Sequence, residues 1–263
     1  LMFMTSFTGQ DMLKTAVRVG NLGMMGEARL DSAFSSSNSL ELHKAYYQFP
    51  VGDDIQVTFG PKLRQDDLLG VWPSAYPSDG VLFVLNQAGA SDTYSKKMGA
   101  GAGITWSNEK LVASALFVSE DASNSSIGFL TDEGKDHTTA QLAWVDEKYT
   151  LAAAYTQADN GNTDNSPDIN DYSSFGISGS YQFGDDYSLS GGIGWKKPEN
   201  DDSPDISMNK VEDGNTWSIG FLWNNALIEG NKFGFGIGTA ETHRDESGYD
   251  DPLAWEAFYD FRV

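Results

Sequence analysis

The sequence predicts an all-β protein: an antiparallel transmembrane barrel with short turns at one end and long loops at the other. Three observations carry this. Seven stretches alternate large apolar with small or polar residues, the period of a strand that turns one face to each side. The connections between them alternate short and long. Aromatic residues gather near strand ends, where an amphipathic ring suits the headgroup level of a bilayer.

Residues 136–158 show the pattern most clearly. Ala140, Leu142 and Trp144 point one way and Thr139, Gln141 and Ala143 the other. Asp146 and Glu147 make the turn, and Tyr149, Leu151, Ala153 and Tyr155 return. Strands are expected at 2–8, 12–20, 40–49, 54–60, 98–106, 110–118, 137–145, 148–157, 172–183, 186–195, 214–223, 232–239 and 254–263. A tilted transmembrane strand needs about 9–11 residues, and most of these come close. The short connections are 9–11, 50–53, 107–109, 146–147 and 184–185, with 224–231 somewhat longer. The long ones are 21–39, 61–97, 119–136, 158–171, 196–213 and 240–253. About 13 strands are legible, of roughly 16 expected for the complete barrel.

Trp106, Trp144, Tyr181, Trp195 and Trp223 are the expected aromatic girdle, and the four tryptophans are expected to share the short-turn side. A soluble sandwich would need the alternation too, but not the strict asymmetry of its loops. Many of the 28 glycines lie inside strands, where they ease curvature and leave space on the inner face. Residues 99–103 alternate glycine and alanine, but no helix pattern follows, so they do not read as a phosphate-cradling loop.

Composition narrows the function classes. Lysine and arginine total 17 against 38 aspartates and glutamates, a formal charge of −21, which argues against a nucleic-acid partner. It permits cations and metal-bridged contact with lipopolysaccharide. Cysteine is absent, which removes disulfides and thiolate sites, and His43, His137 and His243 are far apart in sequence. The densest apolar run, residues 81–85, falls far short of the roughly 20 residues of a membrane helix. No signal segment opens the chain, and residues 261–263 stop within an apparent strand. The chain therefore reads as one barrel domain, 1–263, incomplete at both ends.

Loop 61–97 contains Lys62, Arg64, Asp66, Asp67, Trp72, Tyr76, Asp79 and Lys96 around the apolar run 81–85. Such a run is unwelcome in open water, so the loop is expected to fold inward and narrow the lumen. The alternatives are an external loop packed on its neighbours or a subunit contact. Lys14, Arg18, Glu256, Asp260 and Arg262 fall opposite the apolar series, and a basic residue facing lipid costs roughly 2–4 kcal/mol, so they are expected to face the lumen. Asp159, Asp164 and Asp168 form a weak calcium candidate without the ligand spacing of a helix–loop–helix site, and divalent cations could sit in the acidic loops generally. No cofactor is implied. No nucleophile elbow or zinc-protease motif occurs, and no catalytic set can be assembled.

Residues 5–15, beginning Thr5-Ser6-Phe7-Thr8-Gly9-Gln10-Asp11, resemble the hairpin of cyanobacterial porins of the carbohydrate-selective (OprB-like) superfamily. Residues 45–52, Phe59-Gly60-Pro61 and 256–263 continue the resemblance. It implies an outer-membrane diffusion channel, no catalysis, a homotrimer, and an N-terminal S-layer-homology domain that binds peptidoglycan. It also implies further C-terminal strands. Sugars, inorganic ions and iron are the solutes it suggests. The competing class is a soluble all-β adhesin or lectin-like domain, which predicts extraction without detergent and aromatics without belts.

Overall fold

A computed structural model of the chain describes residues 1–22, 29–78, 80–131, 133–160, 171–199, 213–239 and 253–261. Thirteen strands lie in one antiparallel sheet in chain order. They are β1 (Met2–Thr5), β2 (Met12–Arg18), β3 (Glu41–Val51), β4 (Ile55–Arg64), β5 (Met98–Asn108), β6 (Leu111–Ser119), β7 (Lys135–Val145), β8 (Tyr149–Asn160), β9 (Tyr172–Phe183), β10 (Tyr187–Pro198), β11 (Gly214–Asn224), β12 (Lys232–Thr239) and β13 (Leu253–Asp260). Every neighbouring pair is antiparallel, and β1 and β13 do not pair with each other, so the sheet is curled rather than closed.

The alternation sets which side chains go where. On β7, Thr139, Gln141 and Ala143 are buried, whereas Ala140, Leu142 and Trp144 are exposed. On β8, Ala152, Ala154, Thr156 and Ala158 are buried between the exposed Tyr149, Leu151, Ala153 and Tyr155. The exposed series is the large apolar one throughout: Ile104, Leu142, Leu151, Ile177, Leu189, Ile193 and Ile219 all lie on it. An apolar outer face and a small, polar inner face is the distribution a lipid-facing barrel wall requires.

Two expectations about strand length are corrected. Strand β1 stops at Thr5 rather than at 8. Its connection wraps round Asp11, whose carboxylate accepts hydrogen bonds from Phe7 N at 3.0 Å, Thr8 N at 2.7 Å, Ser6 Oγ, Thr8 Oγ1 and the Tyr47 hydroxyl at 2.6 Å. Gly9, with φ of +86°, makes the left-handed step of that turn. Strand β4 runs to Arg64 rather than to 60, because a register shift between Gly60 and Leu63 changes which residues face inward. A bulge of this kind breaks period two and hides the rest of the strand from the pattern. Lys62 and Arg64 are thus wall residues, and the connecting loop begins at Gln65.

Candidate functional site

Residues 65–78 and 80–97 lie on the concave face of the sheet. The segment opens with a short helix, α1 (Gln65–Leu68), followed by extended chain and a 3-10 turn, Phe83–Leu85. The α1 start is held by Asp67 Oδ2, which accepts the Arg64 amide at 2.9 Å. The apolar run is buried: Val81, Val84 and Leu85 pack with Tyr76, and Ala254 and Phe258 of β13 close over them. A second cluster joins Leu68 to Leu63, Tyr46, Leu116 and Val118 of the wall. A third joins Ala88, Ala90 and Tyr94 to Ala154, with Trp72 against it. The interior is therefore not simply polar. It is filled where the segment crosses it.

Polar contacts tie the segment to strand after strand. Gln65, fully buried, donates to Thr139 Oγ1 on β7 and to the Thr93 carbonyl, both at 2.8 Å, and accepts the Lys96 amide at 3.0 Å. Thr156 of β8 also donates to the Thr93 carbonyl, and the Thr93 hydroxyl lies 2.6 Å from that of Ser174 on β9. Ser190 of β10 accepts the amides of Ala75 and Tyr76. Thr216 of β11 accepts that of Ser91. Glu256 of β13 accepts the Tyr76 hydroxyl and the Leu82 amide, each at 2.9 Å. Buried donors and acceptors that find partners this consistently fix a single placement.

Charge on the wall meets charge on the segment. Lys44 of β3 sits 2.6 Å from Asp67, whose other oxygen lies 3.9 Å from Lys14 of β2, and Tyr46 donates to it at 3.1 Å. Arg64 makes a two-pronged contact with Asp66, 2.6 Å on each prong, and reaches Asp31 of the preceding loop at 3.3 Å. Burial works against the Asp66 carboxylate, yet the Arg64 guanidinium holds it below the usual carboxylate range. Loop 19–40 meets the same segment through Asp31 N to the Val81 carbonyl and Phe83 N to the Arg29 carbonyl.

The sequence-predicted residues fall as follows. Lys14, Asp66, Asp67 and Glu256 all lie in these contacts, and Arg18 lines a cavity of about 900 Å³ at the long-loop end. Lys62 sits on β4 beside Ala45 and does not line that cavity. Asp260 is exposed at the end of β13, opposite Lys232. Asp79, Arg262, Asp164, Asp168 and His243 lie outside the described residues. Asp159 pairs in register with Asp136 on β7, and no group of three metal-ligating side chains occurs among the described residues. The sequence reading missed Lys44, which shares an inner face with Tyr46 two residues on; that spacing was the available signal.

The girdle needs one correction. Trp106, Trp144, Tyr181 and Trp223 stand near short turns, with Tyr187 stacked 5.8 Å from Trp223. Trp195 does not join them. It pairs with Phe175, 6.0 Å between ring centres, near the long-loop ends of β9 and β10. At about 3.3 Å per residue, the eight steps from Tyr187 to Trp195 separate two belts by about 26 Å along the strand. Trp217 of β11 and Trp255 of β13 share the second belt's end of the sheet.

No family model matches the chain, and no curated protein sequence matches it. Among solved structures, OpdL of Pseudomonas aeruginosa is similar at a TM-score of 0.50 and 13% identity, over 97% of this chain and 68% of OpdL. A mutant Rh. blastica porin gives 0.48 and 13%, over 99% of this chain and 78% of that one. P. aeruginosa OccK3 (OpdO) gives 0.48 and 15%, over 94% and 64%. The likeness is one of fold: the chain is an all-β antiparallel sheet of porin type.

Proposed function

We propose that this chain forms the wall and inner loop of an outer-membrane channel through which small hydrophilic solutes and inorganic ions diffuse passively. The observation that carries this reading is the placement of residues 65–97, which make contacts with inner-face residues from β2 to β13 while the outer face stays apolar. A segment held across a curled sheet sets the width and charge of whatever passes, which is how channel proteins select. The outer face speaks against a soluble adhesin: Leu142, Leu151 and Ile219 are 55%, 54% and 49% exposed on neighbouring parts of one surface. Contiguous apolar surface of that extent is a liability in water and an asset in lipid.

Outer-membrane lipid and lipopolysaccharide are the partners this face suits. A homotrimer, a peptidoglycan tether through an S-layer-homology domain, and sugars or iron as solutes follow from the family resemblance alone. The test is single-channel recording in a planar bilayer. Stable, ohmic steps from detergent-extracted protein are the expected result. A protein that extracts without detergent and never inserts would defeat the reading.

A further inference from the structure

The described lining of the 900 Å³ cavity at the long-loop end differs in sign from the composition of the whole chain. The chain as a whole has 17 cationic against 38 acidic side chains. Among the described residues, the cavity is lined by Arg18, Arg29, Arg64, Lys96 and Lys97 against only Asp31, Asp92 and Glu120. The acids are engaged. Asp31 faces Arg64 at 3.3 Å, Glu120 faces Lys97 at 3.0 Å and Asp92 faces Lys196 at 3.5 Å.

Of the other three cations, Arg29 has a partner of its own, whereas Arg18 and Lys96 have no carboxylate within ion-pair distance among the described residues. Lys96 is 4% exposed, and its ammonium donates to the neutral Asn86 Oδ1 at 3.0 Å and stands 4.8 Å over the Trp72 ring. Burial pushes it down to about 8, so at neutral pH it is still largely charged. The Arg18 guanidinium lies 3.4 Å over the Phe34 ring, and its buried Nε has no hydrogen-bond partner. Stacking uses the face of a guanidinium and leaves its in-plane N–H donors to point elsewhere. Ser95, which also lines the cavity, has a buried hydroxyl without a partner. A buried donor left unmatched is costly unless something in the cavity accepts from it.

We infer that this cavity is an oxyanion-binding vestibule, where Arg18 and Lys96 take a small carboxylate or phosphate solute on its way past the inner loop. The inference rests on the channel reading and assigns that channel its solute class. A vestibule with low-dielectric walls and one sign of charge concentrates ions of the other sign. The cations here are set in the wall and the packed loop, so their field acts where solute passes. Among the described residues that line it, cations outnumber carboxylates five to three.

Reversal potentials in a potassium chloride gradient, with the purified protein in planar bilayers, test this directly. The expected wild-type result is a preference for chloride over potassium, with inorganic phosphate and succinate each reducing the chloride current at millimolar concentrations. Removing one cation, by Arg18→Gln or Lys96→Gln, should weaken phosphate block by about fivefold or more. Arg18→Lys, which keeps the charge, should retain the chloride preference. Glu109→Gln, on an exposed short turn at the other end, should change nothing. Block by phosphate alone would narrow the solute to phosphates, and block by succinate alone to carboxylates. A conducting wild-type channel that prefers potassium, or that neither anion blocks, overturns the vestibule and leaves the channel standing. An absence of conductance overturns the channel reading instead.

Discussion

Tyr76 and Glu256 stand 180 residues apart in the chain and 2.9 Å apart in space. Tyr76 belongs to the inner loop and Glu256 to the last strand, so this bond anchors the loop at the far edge of the sheet. The second oxygen of the same carboxylate accepts the Leu82 amide, which places the apolar run of residues 81–85 against β13.

Glu256→Ala removes both acceptors from a half-buried site, leaving the Tyr76 hydroxyl and the Leu82 amide without partners. Each unmatched donor costs about 1–3 kcal/mol. The expected outcome is a folded channel with a looser loop: faster hydrogen exchange at Leu82 and more open-channel noise. Exchange at Leu82 equal to wild type would show that the apolar cluster alone holds the loop.

Gly192 predicts an effect of the opposite sign to the usual glycine rule. Alanine in a strand interior normally stabilises relative to glycine by roughly 0.5–1 kcal/mol. A Cβ at Gly192, however, would collide with the Ala88 carbonyl oxygen, where the loop backbone rests on β10. Its neighbour Gly191 escapes such a collision: the nearest atom to a Cβ there is the Ser218 carbonyl oxygen at 3.2 Å, a tight contact that a shift of a few tenths of an ångström relieves. Gly192→Ala should therefore lower the temperature at which the barrel loses its heat-modifiable gel mobility, and by far more than Gly191→Ala does. Equal shifts would mean the loop does not lie on that strand.

These contacts mark the boundary of what the sequence made legible. Period two is a local signal, and it located all thirteen strands, β9 and β12 to the residue. It failed where the backbone departs from period two, at the bulge in β4 and the Asp11-centred turn. Trp195 was expected in the wrong belt although the loop lengths alone put it next to the long connection 196–213, because nearness to a strand end was read without asking which end. The inward direction of residues 65–97 was readable from one misplaced apolar run. Its partners were not, because Ser190 and Glu256 meet it only through the tertiary fold.

The two belts give a prediction that distinguishes them. In brominated-lipid quenching, Trp106, Trp144 and Trp223 should report one interfacial depth and Trp195, Trp217 and Trp255 the other leaflet. Single-tryptophan variants suffice. One common depth for Trp195 and Trp223 would contradict the pairing of Trp195 with Phe175.

Asp11 supplies a pH dependence. Hydrogen bonds from the Tyr47 and Thr8 hydroxyls, against a smaller opposing effect of burial, hold its carboxyl far below the usual carboxylate range. A carboxyl with a depressed folded-state pKa contributes its stability above its unfolded value of about 4 and loses it as the pH falls further. The 6–11 turn should thus hold down to pH 4 and loosen only in stronger acid. Amide exchange at Phe7 and Thr8, corrected for intrinsic rates, checks this. Asp11→Asn should show the loosened turn already at neutral pH, and a turn unchanged in that variant would remove Asp11 as its organiser.

Asp67 is where wall charge and loop charge are most closely matched. It faces Lys44 at 2.6 Å and Lys14 at 3.9 Å, accepts the Tyr46 hydroxyl, and caps α1 through the Arg64 amide. Asp67→Asn keeps the shape and one acceptor but leaves two wall lysines without a carboxylate. Breaking a buried pair on one side typically costs about 3–5 kcal/mol. Lys44 and Lys14 retain 11% and 18% side-chain exposure, so the lower end of that range is expected here. The electrical consequence has a definite sign. One negative charge is lost from the inner face, and two ammonium groups are released to act on passing ions. Reversal potentials should move toward anions relative to wild type. Lys44→Met should relieve most of the stability loss in the double variant, because it removes the stranded cation. A double variant no more stable than Asp67→Asn would show that the cap and the Tyr46 bond, and not the ion pair, make up the cost.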